Sequence, residues 1–158
     1  VKDAHLPAYQ KAEFKVLGVY DINPEQSAKI ANSWNLKAFG SLDSLISSAQ
    51  SQNAVFDLAL PPSAVSNVLE QLPEHATVLI QKPMGSDLEE AKLIKALCER
   101  KKLTAAVNFQ LRFSPMMLAL KDAMSKGHLE RILDLEVHLN LEASWELFPF
   151  LKKMERLQ

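Results

Sequence analysis

Lys82 stands between the end of a predicted strand and Pro83, and this position could give its ammonium group a chemical role. A rigid turn there would direct the ammonium toward the mouth of a sheet. With a pKa tuned by burial, it could polarise a carbinol or carbonyl oxygen or exchange a proton with it while a hydride moves. The alternative is a solvated surface lysine, the ordinary fate of a single lysine.

Asp21 closes another predicted strand, and Ile22 follows it. In a dinucleotide-binding fold, an acid at this place accepts hydrogen bonds from the hydroxyls of the adenosine ribose. A turn acid flanking the next helix would have the same spacing. Both interpretations of Asp21 stay open on spacing alone.

Two further strand ends carry candidate binding residues. Leu60, Pro61 and Pro62 end a predicted strand, where the prolines would either form a rigid wall against a flat ring or simply stop the strand before a helix. Gln81 ends the next strand. Asn108, Gln110 and Arg112 alternate with apolar residues after the last one, which predicts that these three share a face toward a cavity or water.

The elements that must position these residues alternate between two periodicities. Continuous apolar runs predict strands over 14–21, 37–39, 54–60, 76–81 and 103–109. Helix-period segments with caps at Asn23, Ser86 and Ser114 predict helices over 24–34, 41–49, 63–72, 86–101 and 114–125. The pattern is typical of an α/β fold with a doubly wound parallel sheet, whose ligands bind beyond the carboxyl ends of the strands.

After Gly127 the residues 131–141 alternate apolar and polar, which predicts a strand with one solvated face in a second domain. Solvated polarity also accounts for Asp134, Glu136 and His138 on one side of that strand. The aromatic run from Trp145 to Phe150 could be loop core, substrate-site lining or an interface patch, of which loop core is preferred. We therefore expect domains at 1–112 and 113–158, the second an incomplete start of a substrate domain.

The composition excludes several classes of protein. A formal net charge of -1 without a basic block predicts no nucleic-acid or anionic-membrane partner, and no segment is long and apolar enough for a membrane helix. The single cysteine, Cys98, predicts a core residue in a reducing, cytoplasmic compartment. The four histidines are scattered without metal-ligand spacing, so no metal site is expected.

Four segments occur in the order of a known family: AHLPAYQKAEFKVLGVYD at 4–21, ALPPS at 59–63, QKP at 81–83 and NFQLRFSP at 108–115. Together they resemble the glucose-fructose oxidoreductase, inositol dehydrogenase and rhizopine-catabolism (Gfo/Idh/MocA) family.

The resemblance implies a Rossmann domain that binds NAD or NADP, followed by an α/β domain for substrate and often for oligomer contacts. Lys82 corresponds to the lysine of the family's Glu-Lys-Pro motif and would be catalytic. Asp21 would favour NAD, since a carboxylate repels a 2′-phosphate. The implied partners are a sugar, cyclitol or similar small polyol as substrate and further copies of the full-length chain. Ile22, Leu60, Pro61, Pro62, Gln81, Asn108 and Arg112 would border the cofactor.

The sequence departs from the family pattern at three positions. Gln81 replaces a glutamate, Leu60 a threonine, and Val65 stands where a histidine commonly follows the prolines. The main hypothesis is an NAD(P)-dependent oxidoreductase acting on CH–OH groups. These departures keep open a cofactor-binding sensor or accessory subunit without turnover. A purely structural interaction protein is the weakest alternative.

The family's first strand and its Gly-x-Gly-x-x-Gly turn would precede Val1, and an Asp and His pair would follow Gln158. The first strand is central in the doubly wound order, so its absence would split the sheet. The glycine turn holds the pyrophosphate of the cofactor, so its absence would remove those contacts. We therefore expect these 158 residues alone to be inactive and marginally folded, and the parent protein to be active.

Overall fold

Helices and strands alternate along most of the chain, which confirms the predicted α/β class. The computed structural model describes residues 1–138 and 140. The elements are α1 (His5–Lys11), α2 (Pro24–Trp34), α3 (Leu42–Gln50), β1 (Val55–Leu58), α4 (Pro62–Gln71), β2 (Thr77–Gln81), α5 (Leu88–Arg100), β3 (Thr104–Asn108), a 3-10 turn (Gln110–Phe113) and α6 (Pro115–Ser125).

The three strands form a parallel sheet in the order β1-β2-β3. Because side chains alternate along a strand, the register divides the sheet into two faces. Phe56, Leu58, Val78, Ile80, Ala105 and Val107 lie on one of them, called here the apolar face. Asp57, Leu79, Gln81, Ala106 and Asn108 lie on the other, called here the polar face.

The hydrophobic core lies on the apolar face. Helices α4 and α5 pack against each other there, and the most deeply buried side chains come from these helices, the strand β2 and the loop after α4: Val65, Leu69, Leu72, Val78, Ile80 and Ile94. Cys98 of α5 belongs to the same cluster, as its apolar neighbours predict. Burial of this face holds the three strands together as one sheet, and their carboxyl ends lie at the same edge of it.

The strands predicted over 14–21 and 37–39 are wrong as strands. These segments meet only at a parallel bridge, in which the Val19 amide donates to Lys37 and the Phe39 amide donates back to Val19. A strand needs a continuous hydrogen-bonded neighbour, and the described residues place no strand between this bridge and β1. The length of an apolar run predicts that a segment is extended, but it does not predict which other segment pairs with it.

Gly18 allows the close approach of these two segments. A Cβ atom at position 18 would lie 2.4 Å from the Lys37 carbonyl oxygen and 2.6 Å from the Phe39 ring. Only glycine avoids that collision without a backbone shift.

Two helix starts follow the predicted caps, at Asn23 and Ser114, a third helix is capped by Ser41, for which no cap was predicted, and the cap predicted at Ser86 is displaced. The Asn23, Ser41 and Ser114 side chains each accept from a backbone amide of their helix. Helix α5, predicted to begin with Ser86 as its cap, is instead capped by Asp87, which accepts from the Glu90 amide. The sequence Ser-Asp-Leu-Glu-Glu offers two overlapping capping boxes, and a carboxylate is the stronger acceptor at a helix N-terminus.

The single face predicted for Asn108, Gln110 and Arg112 is also wrong. Strand β3 ends at Asn108, and Gln110–Phe113 form a 3-10 turn. With three residues per turn, side chains two positions apart point in different directions. Strand alternation therefore cannot align these three residues.

Helix α1 lies in a segment for which the sequence predicted no element. Pro7 is the third residue of the helix, where a missing N–H costs nothing because the first amides have no intrahelical acceptor. The amides of His5 and Leu6 both donate to the Val1 carbonyl. The helix carries His5 and Tyr9 one turn apart.

The chain divides into two compact units, Val1–Leu111 and Arg112–Gln158. In the second unit, residues 131–138 form no strand, contrary to the prediction, since they lack a hydrogen-bonded neighbour among the described residues. Asp134, Glu136 and His138 are exposed there, and the His138 Nε2 lies 2.8 Å from the Glu136 carboxylate. The aromatic run Trp145 to Phe150 lies outside the described residues.

No helix in the described part of the chain combines the length and the hydropathy needed to cross a membrane.

Candidate functional site

The carboxyl ends of the three parallel strands bring several predicted residues to one edge of the first unit. Strand β1 ends at Leu58 and continues into Leu60 and Pro61, β2 ends at Gln81 before Lys82, and β3 ends at Asn108. Gln81 and Asn108 are direct register partners. This is the edge at which parallel α/β sheets bind ligands.

Lys82 leaves the end of β2 as an exposed side chain, so the described residues do not provide the burial on which its predicted chemical role depended. A cis peptide bond joins it to Pro83. Among the described residues, its ammonium group has no hydrogen bond and no ion pair, whereas the preceding residue, Gln81, has two hydrogen-bond partners. The ammonium is therefore free to meet a ligand at this edge.

Asp21 and Ile22 lie in the exposed turn before α2. The Asp21 Oδ1 accepts a hydrogen bond from the Asn23 amide at 2.8 Å, which is the local turn geometry of a helix-flanking acid. The second carboxylate oxygen has no partner among the described residues, and the Ile22 side chain is 91% exposed. The turn geometry and a ribose-binding role are thus compatible in the same side chain.

Leu60, Pro61 and Pro62 connect β1 to α4. Pro61 occupies the N-cap position of α4 and Pro62 is its first helical residue, a place that proline favours because its φ is already helical. Leu60 is half-buried and packs against the core cluster, while Pro61 is exposed. The segment therefore ends a strand and presents one proline ring to solvent.

A chain of hydrogen-bonded side chains runs along the polar face, called here the Asp57 cluster and made of His5, Tyr9, Asp57, Gln81 and Asn108. The Asp57 Oδ2 accepts from Tyr9 Oη at 2.8 Å and lies 2.6 Å from His5 Nδ1. The Gln81 Nε2 donates to Asp57 Oδ1 at 2.9 Å, and Asn108 Nδ2 donates to Gln81 Oε1 at 3.0 Å. The cluster links α1 to all three strands.

The carboxylate in this cluster is well paired although it is largely buried. The side chains of His5 and Asp57 are only 17% and 18% exposed. Burial, the hydrogen bond to Asp57 and its negative charge together raise the pKa of Tyr9 well above its usual range. Since ionised Asp57 can only accept, His5 carries a proton on Nδ1 in this arrangement.

Sequence reasoning found Gln81 and Asn108 but missed Asp57, His5 and Tyr9. A signal for Asp57 existed, because it is an acid inside the apolar run 54–60 and a buried charge needs partners. The four-residue spacing of His5 and Tyr9 fits one face of a helix. The contacts themselves join residues 48 and 52 positions from Asp57, which no local pattern reveals.

Arg112 does not belong to this unit. It is exposed and begins the second unit, so it is described apart from the strand ends. Within the described residues, no three histidine, cysteine or acidic side chains come together closely enough to hold a metal ion.

Comparison with known proteins gives consistent matches. Residues 1–109 match a family described as an oxidoreductase family with an NAD-binding Rossmann fold. Glucose-6-phosphate 3-dehydrogenase of Bacillus subtilis is 29% identical over 126 residues, covering 78% of this chain and 35% of that protein. This chain spans about a third of the length of such relatives.

Solved structures show the same fold. The UDP-N-acetylglucosamine 3-dehydrogenase of Acidithiobacillus ferrooxidans superposes with a TM-score of 0.65 at 27% identity, over 78% of this chain and 40% of that one. A Chromobacterium violaceum dehydrogenase, WlbA, solved with NADH and UDP-GlcNAcA, gives a TM-score of 0.67 at 22% identity, over 81% of this chain and 37% of that one. The sequence match and the parallel sheet agree, and the chain belongs to the Gfo/Idh/MocA family of oxidoreductases with an NAD-binding Rossmann fold.

Proposed function

We propose that the complete protein is an NAD-dependent dehydrogenase that acts on a carbinol carbon of a sugar or similar small polyol. The observation that carries the proposal is the exposed, unpaired Lys82 at the shared carboxyl edge of the three strands. Membership of an NAD-binding oxidoreductase family supports it. NADP is the less favoured cofactor because Asp21 would repel a 2′-phosphate.

The residues at hand fit part of a dinucleotide. The free carboxylate oxygen of Asp21 can accept from ribose hydroxyls, and the exposed Ile22 can cover an adenine ring. Leu60, Pro61 and Gln81, which follow or end strands at this edge, would border the nicotinamide end. The four glycines of these 158 residues, at 18, 40, 85 and 127, form no Gly-x-Gly turn, so the donors for the pyrophosphate are not supplied by such a turn in this sequence.

Lys82 would hold or move the proton of the reacting hydroxyl. When bound, NAD supplies the hydride acceptor. In the direction of oxidation, the neutral amine of Lys82 would accept the proton that leaves the carbinol hydroxyl. The ammonium so formed would stabilise the negative charge on that oxygen, and it would return the proton in the reverse direction. The ends of β1 and β3 lie on either side of β2 and would fix the place at which the substrate oxygen meets Lys82.

The names of the relatives favour a sugar over a cyclitol. Two of them are named as 3-dehydrogenases, one of glucose 6-phosphate and one of UDP-N-acetylglucosamine. We therefore propose a hexose derivative oxidised at a ring hydroxyl. The second unit, from Arg112 onward, would begin the substrate domain, and oligomer contacts would lie in that domain.

The first test is calorimetric titration of NAD and NADP into these 158 residues and into a version extended at both ends to the length of the relatives. We expect the extended protein to bind NAD more tightly than NADP. Reduction of NAD is then measured with glucose 6-phosphate, UDP-N-acetylglucosamine and myo-inositol. An extended protein that binds neither dinucleotide overturns the proposal.

The Lys82→Met variant tests the assigned chemistry. We expect kcat to fall by about a thousand-fold while the NAD affinity changes by less than about three-fold, since proton transfer contributes on that scale. Lys29→Met, an exposed lysine of α2, is the matched control and should leave kcat unchanged. Retained turnover in Lys82→Met would remove the lysine from the mechanism.

A sensor or accessory subunit that binds the cofactor without turnover is the second candidate. Position 65 favours it, because Val65 is 1% exposed and lies in the core, where it offers no polar group to the site. In that case the unmodified protein binds NAD but reduces it with none of the three substrates. Lys82→Met would then have no turnover to remove.

A further inference from the structure

We propose that Asp57 is a positioning residue of this site, which fixes the orientation of the Gln81 and Asn108 side chains and thereby the strand end that carries Lys82. The inference rests on the proposed function, because it concerns the same edge of the sheet. Its basis is the Asp57 cluster, in which one largely buried carboxylate is followed by two amides in series.

The direction of this series follows from the chemistry of its first member. An ionised carboxylate can only accept, so Gln81 must present its Nε2 to Asp57 and its Oε1 to β3. That oxygen can only accept, so Asn108 must present its Nδ2 to Gln81. The side-chain oxygen of Asn108 is then the acceptor left free of the cluster. One charge thus decides which amide atoms take part in the cluster and which are left outside it.

The same bonds hold the backbone from which Lys82 departs. Gln81 is both the central member of the cluster and the residue covalently before Lys82. It is tied on one side to β1 and on the other to β3. A displacement of about 1 Å at a reacting group can cost up to a hundred-fold in rate, so this anchoring is large enough to matter for turnover.

Helix α1 anchors the carboxylate from the opposite side. His5 and Tyr9 both meet Oδ2, which leaves Oδ1 for Gln81. With each oxygen engaged, the carboxylate cannot rotate without breaking a charge-assisted hydrogen bond. The arrangement therefore defines one orientation of the whole series.

A charge-exchange cycle in the extended, full-length protein tests the inference. Asp57→Asn removes the charge but keeps the shape, and Gln81→Glu places two carboxylates in contact. The double variant moves the single charge from position 57 to its hydrogen-bond partner at position 81. In the double variant, the amide at position 57 can still accept from His5 and Tyr9 and donate to the new carboxylate, so every bond of the cluster can be made.

For each variant, the quantities to measure are the NAD dissociation constant, by titration, and kcat and KM with glucose 6-phosphate and UDP-N-acetylglucosamine. Asp57→Asn should lower kcat about ten-fold and Gln81→Glu about a hundred-fold, with NAD affinity within about three-fold, because the loss is one of positioning. The double variant should recover to within about ten-fold of the unchanged protein. Asp43→Asn, on the exposed first turn of α3, controls for loss of one negative charge and should leave kcat unchanged.

A purely structural role gives a different result. It would lower the melting temperature of Asp57→Asn while the folded variant kept its kcat. Independent roles would instead show as free-energy losses in the two single variants that simply add in the double variant. Either finding overturns the inference. Failure of the proposed function shows earlier and differently, as no NAD reduction by the unchanged protein, and it overturns the positioning role as well.

Discussion

The two faces of the β1-β2-β3 sheet are held by different interactions, although they come from alternate residues of the same strands. On the apolar face, Val78 and Ile80 are almost completely buried against α4 and α5. On the polar face, Asp57 and Gln81 keep some exposure and bond to each other, and Asp57 also bonds to α1. One face is stabilised by buried area, the other by a connected set of hydrogen bonds.

The difference separates stability from chemistry. Hydrophobic burial is non-directional and contributes roughly in proportion to area, so the apolar face can support the strands without fixing any single polar group. Hydrogen bonds are directional, and the polar face therefore fixes the orientation of side chains at the ligand edge. We expect substitutions on the first face to change mainly the free energy of unfolding, and those on the second to change mainly function.

The largest effect on stability should come from the apolar face. Ile94→Ala removes a side chain of α5 that is 0% exposed, and we expect a loss of about 3 kcal/mol in the free energy of unfolding from lost burial and the remaining cavity. Leu93→Ala is the matched control, since Leu93 is its neighbour in the helix and is 67% exposed.

Urea unfolding followed by circular dichroism measures both variants. Leu93→Ala should stay within about 0.5 kcal/mol of the unchanged protein. Equal losses for the two variants would show that α5 does not pack on the sheet as described, and would remove the contrast between the faces.

The sequence predicted the apolar face better than the polar one. Apolar runs and helix periodicity are local signals, and they located β1, β2, β3 and the four helices from α2 to α5 to within a few residues. The polar face depends on pairs that are 24 to 52 residues apart, such as Gln81 with Asp57 and Asp57 with His5. No periodicity encodes such pairs.

The errors have the same origin. The run 14–21 has strand composition but makes only one bridge, and the Asn108 to Arg112 alternation coincides with a 3-10 turn. In both places the backbone partner decides the structure, and the partner is not a local property of the sequence. The sequence prediction missed Asp57 because its apolar neighbours indicate a buried strand. A charged residue inside such a strand needs polar partners, and that need was the available evidence of a polar cluster.

Tyr9→Phe should have a smaller effect than Ile94→Ala and one that depends on pH. The change removes one donor to Asp57, which should cost about 1 kcal/mol near neutral pH. Burial and the neighbouring carboxylate raise the pKa of Tyr9 in the folded protein, so folding favours the neutral phenol. This contribution is complete below the unfolded pKa of about 10 and is lost as the pH rises beyond it.

The measurement compares urea unfolding at pH 8 with unfolding above pH 10. The difference in stability between the unchanged protein and Tyr9→Phe should shrink, then change sign, as the pH rises. Tyr20→Phe, which lies outside the Asp57 cluster, is the control for loss of a phenol group. A pH-independent difference for Tyr9→Phe would show that the hydroxyl does not face the carboxylate.

The smallest effect should come from the exposed ion pair that joins α5 to α4, which lies on neither face of the sheet. The Arg100 guanidinium donates to both carboxylate oxygens of Glu70, at 2.8 and 2.5 Å, but the two side chains remain 64% and 54% exposed. Solvent screening and the entropy of two long side chains reduce such a pair to below about 1 kcal/mol. A double-variant cycle with Arg100→Gln and Glu70→Gln, measured at low and at high salt, should give a coupling that disappears as salt screens the charges. A coupling that exceeded the effect of Tyr9→Phe and persisted at high salt would contradict this expectation. Surface charge would then stabilise the packing of α4 and α5 as much as buried area does, and the contrast between the two faces would not explain stability.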